Sequence, residues 1–156
     1  MSDDESLITP DMEASIGTEG DPINISINPE LVRRLVESLE EEDPGVLAAI
    51  ESDDPNAEIP AYALITAATR QRQLTVPDVP KRGLMAADEW RVSGAIHMGD
   101  TLTITPRIAE IQERIGGRVG HSLFVHHEWV YENQHGEVVA RVRRTTAHFK
   151  DKHSGE

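Results

Sequence analysis

Cysteine is absent from this 156-residue chain, so neither a disulfide framework nor a thiolate zinc site is available to it. No apolar run approaches the roughly 20 residues of a membrane-spanning helix. The N-terminus, Met1-Ser2-Asp3-Asp4-Glu5, is acidic and lacks the apolar core of a signal peptide, so a cytoplasmic location is expected. Lysine is scarce: only Lys81, Lys150 and Lys152 stand among 15 basic residues, which fits either a GC-rich genome or a salt-adapted, acid-rich proteome. Positive charge is scarcest at the front. Residues 1–58 hold 17 Asp and Glu against two Arg, a balance of −15, whereas residues 59–156 hold 11 acidic and 13 basic residues, a balance of +2. A phosphate backbone would be repelled by the first part and only weakly attracted by the second, so nucleic acid is not an expected partner.

What is present is a run of long β-segments in the second half. Trp90 and Val92 belong to the first, and Met98-Gly99-Asp100-Thr101 is a turn signal. Leu102, Ile104 and Ile108 then alternate with Thr101, Thr103 and Thr105, the pattern of a half-buried strand. Pro106 cannot donate to a ladder and argues for an edge position or a bulge. After Gly116-Gly117, one face of the next strand carries Val119, His121, Leu123, Val125, His127, Trp129 and Tyr131; the other carries Phe124, His126, Glu128 and Val130. Asn133-Gln134-His135-Gly136 fits a hairpin loop, and Glu137 to Phe149 is the last strand. Strands of about twelve residues, where five or six is usual, are expected to curve around something.

Helix signals precede them. Asn28-Pro29-Glu30 combines a cap residue with Pro at the first helical position, followed by Leu31, Leu35 and Leu39 with Val32 and Val36. Asp43-Pro44 opens a second helix through Ile50, and Thr9-Pro10-Asp11 a short one closed by Gly17. Ile23 to Ile27 reads as a short strand or an extended loop. Pro60 to Arg72 reads as a mostly buried helix entry, with strand as the alternative. Val76-Pro77-Asp78-Val79-Pro80 is a stiff connector. The expected organisation is a loose acidic N-terminus over residues 1–8, one domain over 9–150 and a tail over 151–156. One domain of this length buries about 70% of the surface its unfolded chain exposes.

The order of elements, helices and then a curved antiparallel sheet, fits an α+β hot-dog fold in which the sheet wraps a long central helix. Gly83 to Trp90, Met98 to Leu102, Glu113 to Arg118, Phe124-Val125 and Asn133 to Ala140 together resemble the FAS1-like dehydratase, or MaoC N-terminal, family, whose relatives include R-specific enoyl-thioester hydratases. The similarity runs over roughly Pro10 to Lys150. It implies chemistry on acyl thioesters of coenzyme A or of acyl carrier protein, with water added reversibly across the 2,3 double bond and no cofactor. Such a reaction needs one group to take a proton from water, another to protonate the α-carbon, and backbone donors to polarise the thioester carbonyl.

Active relatives place Asp and His five residues apart after the first helix. Here the matching stretch is Glu42 to Ala48: Asp43 stands at the Asp position and Ala48 at the His position. Asp43 before Pro44 also reads as a helix cap. No other His has a ready-made role, and no pair has metal-ligand spacing with a nearby carboxylate, so no metal site is expected. The resemblance implies a subunit whose partner, a second MaoC-type chain, carries Asp-x4-His, or else a homodimer. Pro60, Tyr62, Leu64 and Trp90 are the acyl-tunnel candidates, and Arg114 and Arg118 could meet a CoA phosphate. A self-sufficient thioesterase and a non-enzymatic acyl-binding protein are the alternatives.

Overall fold

A computed structural model describes residues 5–150. Helix α1 (Pro10–Ser15) and strand β1 (Ile23–Ser26) are followed by α2 (Pro29–Ser38), α3 (Pro44–Glu51) and the two-residue β2 (Glu58–Ile59). A 3-10 turn (Ala61–Leu64) runs into α4 (Ile65–Ala68). Then come β3 (Arg82–Val92), β4 (Ile96–His97), β5 (Thr101–Arg114), β6 (Ser122–Glu132) and β7 (Val138–Phe149). Five strands form one antiparallel sheet in the order β1-β5-β6-β7-β3, and β2 pairs with β4 apart from it.

The wrapped layer is helical, but it is divided: its longest helix, α2, has ten residues. The cause is in the sequence, because Pro29, Pro44 and Pro60 each fix a fresh entry angle and none can continue a preceding helix. Asn28 caps α2 by accepting from Glu30 N and Leu31 N. The helix turns Val32 and Val36 inward and leaves Leu31 and Leu39 exposed. Ile23 to Ser26 resolves as strand, paired with β5 in the register Ile23↔Ile104 to Ser26↔Thr101. Pro106 lies just past this pairing, where its missing N–H costs no ladder bond to β1, and a bulge follows between Ile108 and Glu110.

The alternation in β6 sets the two faces. Leu123, Val125, His127, Trp129 and Tyr131 are buried, whereas Phe124, His126, Glu128, Val130 and Glu132 are only partly so. The outer face is therefore a polar one rather than a second apolar surface. Its strands align Arg107, Glu128, Arg143 and Glu89 in one alternating rung. Inside, one core joins Val32, Val36, Leu64, Leu102, Ile104, Trp129, Tyr131 and Val142, and a second gathers Met12, Val76, Ile108, Ile111, Leu123 and Val125. Of the eight N-terminal residues expected to be loose, residues 1–4 lie outside the described part. Leu7 and Ile8 pack against the second core, and Glu113 accepts from Leu7 N and Ser6 Oγ. The tail 151–156 also lies outside it.

Candidate functional site

The turn before β5 shows how the chain frames its site. Gly99 N donates to Pro55 O over 2.8 Å, and a Cβ at Gly99 would stand 2.5 Å from Pro55 Cβ, so only glycine lets the two segments meet. The Asp100 carboxylate is buried and accepts from His97 N and Gln134 Nε2, tying this turn to the β6–β7 hairpin. These motif residues hold strands in place and leave chemistry to other groups.

An open cavity of about 290 Å³, almost wholly apolar, lies between the 3-10 turn and the β3 edge. Ala61, Tyr62, Ile65, Trp90 and Val92 line it. Trp90 reaches it from the inner face of β3, its ring 5.9 Å from that of Tyr131. Tyr62 supplies the polar rim: its hydroxyl donates to Glu41 Oε2 over 2.7 Å. Burial, together with the Glu41 carboxylate and then Asp43, pushes the Tyr62 phenol up to about 12. The same Tyr62 bond, helped by the N–H groups of Asp43 and Glu42, holds Glu41 below the usual carboxylate range. Tyr62 stays protonated and Glu41 stays ionised, so the rim is a fixed dipole facing an apolar floor.

Asp43 stands beside this rim as the cap of α3, its Oδ1 accepting from Gly45 N over 2.8 Å and from Val46 N over 3.1 Å. Ala48, five residues on, is exposed on the same helix. Among the described residues every His belongs to the sheet or its turns. His126 bonds Thr145 on the outer face, and His148 lies 3.0 Å from Pro80 O. His121 lies 3.1 Å from Glu113, and His127 is buried against Trp129. No group of three or more His, Asp and Glu among the described residues is placed to hold a metal ion.

Tyr62 and Trp90, 28 positions apart in sequence, thus meet at one cavity, with Asp43 near its rim. Leu64 is elsewhere: it is 0% exposed inside the main core, and Ile65, 55% exposed, takes the cavity wall. Pro60 precedes the turn and sets its entry. Arg114 and Arg118 are not brought to the cavity. Arg114 is level with Arg82 across the sheet, eight residues along β3 from Trp90, or about 25 Å at strand rise.

Sequence reasoning missed Glu41 and Ile65. Glu41 lay in an acidic run that reads as a solvated helix end. Ile65 was masked by the uncertain helical phase after Pro60. It also missed a charged rung next to the cavity, where Arg144 forks onto Asp88 with two 2.8 Å bonds and lies over the Trp129 ring. His127 is opposite Arg144 in the same rung.

In solved structures, the MaoC-like dehydratase from Rhodospirillum rubrum matches with TM-score 0.61 and 16% identity over 87% of this chain and 93% of that one. The ChsH1–ChsH2 complex from Mycobacterium tuberculosis matches with TM-score 0.66 and 16% identity over 92% and 90%. The truncated HadBC (3R-hydroxyacyl-ACP dehydratase) complex from the same organism gives 0.62 and 17% over 85% and 96%. These likenesses establish the hot-dog fold. No curated protein matches the sequence. Residues 14–142 match the family model described as FAS1-like, dehydratase domain region, and the chain belongs to that family.

Proposed function

We propose that this chain is the acyl-binding, weakly catalytic or non-catalytic subunit of a hot-dog enoyl-thioester hydratase, or 3-hydroxyacyl-thioester dehydratase, and acts together with a partner subunit that carries Asp-x4-His. The observation that carries this reading is the state of α3's N-terminus. Asp43 caps the helix beside the apolar cavity, and Ala48 stands where an imidazole would share the proton traffic. In hydration, the water oxygen bonds C3 of the enoyl group, a base takes the proton that water loses, and an acid delivers a proton to C2. Without an imidazole, one of those transfers lacks its group here.

The open β3 edge supports association. Ten of the eleven residues of β3 pair with β7, Ala86 standing at a bulge, and among the described residues no strand pairs with its other side. Leu84 is 59% and Met85 65% exposed. A long edge with apolar side chains is a template for another strand, and a two-fold partner would extend the sheet and close the cavity's open side.

Co-purification with a candidate partner, followed by enoyl-thioester hydration, tests the reading. The complex is expected to turn over about 10²- to 10⁴-fold faster than the chain alone, the usual contribution of a general acid or base. Equal turnover without a partner would overturn the division of labour. Thioester hydrolysis by the isolated chain would favour the thioesterase alternative.

A further inference from the structure

Lys81 and Lys150 lie at one end of the sheet, just before β3 and just after β7, and the two arginines left without a role at the cavity lie at the same end. Register makes this a surface. Arg82, Phe149, Ser122 and Arg114 form one rung across β3, β7, β6 and β5, and the preceding rung on the outer face holds Leu84, Ala147, Phe124 and Gln112. The guanidinium of Arg82 lies 5.7 Å from the Phe149 ring centre and that of Arg114 4.3 Å from Phe124, so flat aromatic faces fix the cations in place.

Beyond Arg114 the hairpin turns at Gly116 and Gly117. Their φ values of +104° and +75° are reserved for glycine, although a Cβ at either would meet nothing within 4 Å. The tip therefore exposes Ile115 between Arg114 and Arg118. Lys81 and Lys150 adjoin the rung at the start of β3 and the end of β7. The carboxylates at this end include Glu5, Asp78 and Glu113. Asp78 accepts from Thr9, and Glu113 is engaged by Ser6, Leu7 and His121.

We propose that this corner, Arg114, Ile115 and Arg118 with Lys81, Lys150 and Leu84, docks an acidic carrier protein that bears the acyl thioester. The span favours a protein over a single nucleotide. Arg82 and Arg114 are three strand spacings apart, about 14 Å, with the partly exposed rings of Phe149 and Phe124 on the two strands between them and exposed Leu84 and Ile115 at either side. That is the anatomy of a protein interface, an apolar centre within charge that steers the encounter.

The inference rests on the proposed partnership in one respect. Two β3 edges paired about a two-fold run antiparallel, so the Arg82 end of this chain lies beside the cavity end of its partner. Since its own cavity is about 25 Å along the strand, a carrier docked here delivers its thioester to the partner's site. That assigns this chain a second contribution, the recognition of the carrier.

Binding of a purified holo acyl carrier protein to the isolated chain, followed by fluorescence anisotropy, tests the corner without any turnover. Wild-type binding is expected to weaken with added salt. The Lys81→Glu, Arg118→Glu double variant should weaken it about tenfold or more. The matched variant Arg91→Glu, Arg141→Glu, on the same face at the other end, should leave it within about twofold, the size of a rim charge remote from the contact. Equal loss in both variants would show unspecific attraction and overturn the proposal. So would carrier binding that free CoA displaces fully, because the corner would then be a nucleotide site. With an assembled complex, the corner variant should raise KM for the carrier-bound thioester and leave KM for the CoA thioester as it was. A complex that assembles and fails to turn over any thioester defeats the proposed function but leaves the binding result standing.

Discussion

Trp129 and His127 point the same way from one strand, two residues apart, yet their surroundings are opposite. Trp129 donates to Arg72 O over 2.9 Å, and its rung continues through Val142 to Trp90 at the apolar cavity. His127 is just as buried, but its Nδ1 has no partner and its rung continues through Arg144 to Asp88 at the open edge. One face of one sheet therefore carries a dry region and, a single rung away, a charged one. The lesson is that side-chain alternation fixes which residues face inward but not whether the ground there is apolar. The cavity ends where the ion pair begins, and the substitutions below probe that boundary.

The largest effect is expected at the dry side. Trp129→Ala removes a fully buried indole and leaves Arg72 O without its donor, so denaturant unfolding should show a loss of about 3–5 kcal/mol. A loss below about 1 kcal/mol would mean that the face collapses readily and that the cavity is not framed by a rigid wall.

The charged side should appear as pH dependence. Burial, with His148, Arg144 and His126 adding to it, pushes His127 down to about 4. Its folded value lies below its unfolded one, so between them the unfolded chain binds more protons. Stability is then complete above about 6.5 and declines as pH falls towards about 4, by up to about 3 kcal/mol. Chemical denaturation across that window should show the decline in the wild type and a flatter profile in His127→Leu, which has no proton to take up.

Neighbours in the helical layer sharpen the contrast on a smaller scale. Leu64→Trp overpacks a sealed core position and should cost about 1–3 kcal/mol. Ile65→Trp fills the cavity from its exposed wall and should leave stability within about 0.5 kcal/mol, the range of ordinary surface changes. In an assembled complex it should shift preference towards shorter acyl groups. An unchanged chain-length profile with Ile65→Trp would move acyl binding away from Tyr62 and Trp90.

The outcome at these two residues shows what was legible in the sequence. Strand alternation and Pro-marked helix starts have strong local causes, so β5, β6, β7 and the caps at Asn28 and Asp43 could be read directly. The hairpin and Gly-Asp turns could also be read from their residues, although only Gly136, at φ +75°, answers a local backbone demand, whereas Gly99 answers the approach of the distant Pro55. Tyr62 and Trp90 could be singled out but not joined, since their meeting depends on how the 3-10 turn packs on an edge strand. The phase of that turn decides between Leu64 and Ile65, and a few apolar residues without periodicity do not encode it. Nor does Asp88 announce Arg144, 56 positions away. Their pairing is a consequence of β3 joining β7, a non-local event.

The smallest effect is expected at Asp43, and it bears most directly on function. Asp43 and Asn28 cap their helices in the same manner, each offering one side-chain oxygen to two backbone N–H groups. Asn and Asp are about equally good caps, so Asp43→Asn keeps the cap and removes only the charge. Asp43→Ala removes both and should cost about 1 kcal/mol of stability. With Ala48 in place of an imidazole, the charge has no catalytic companion on its helix, and activity of the assembled complex should fall less than about tenfold in Asp43→Asn, below the usual contribution of a general acid or base. A larger fall at unchanged stability would show that the carboxylate handles a proton itself. The chain would then be a catalytic subunit in its own right, and the partner would share the chemistry rather than supply it.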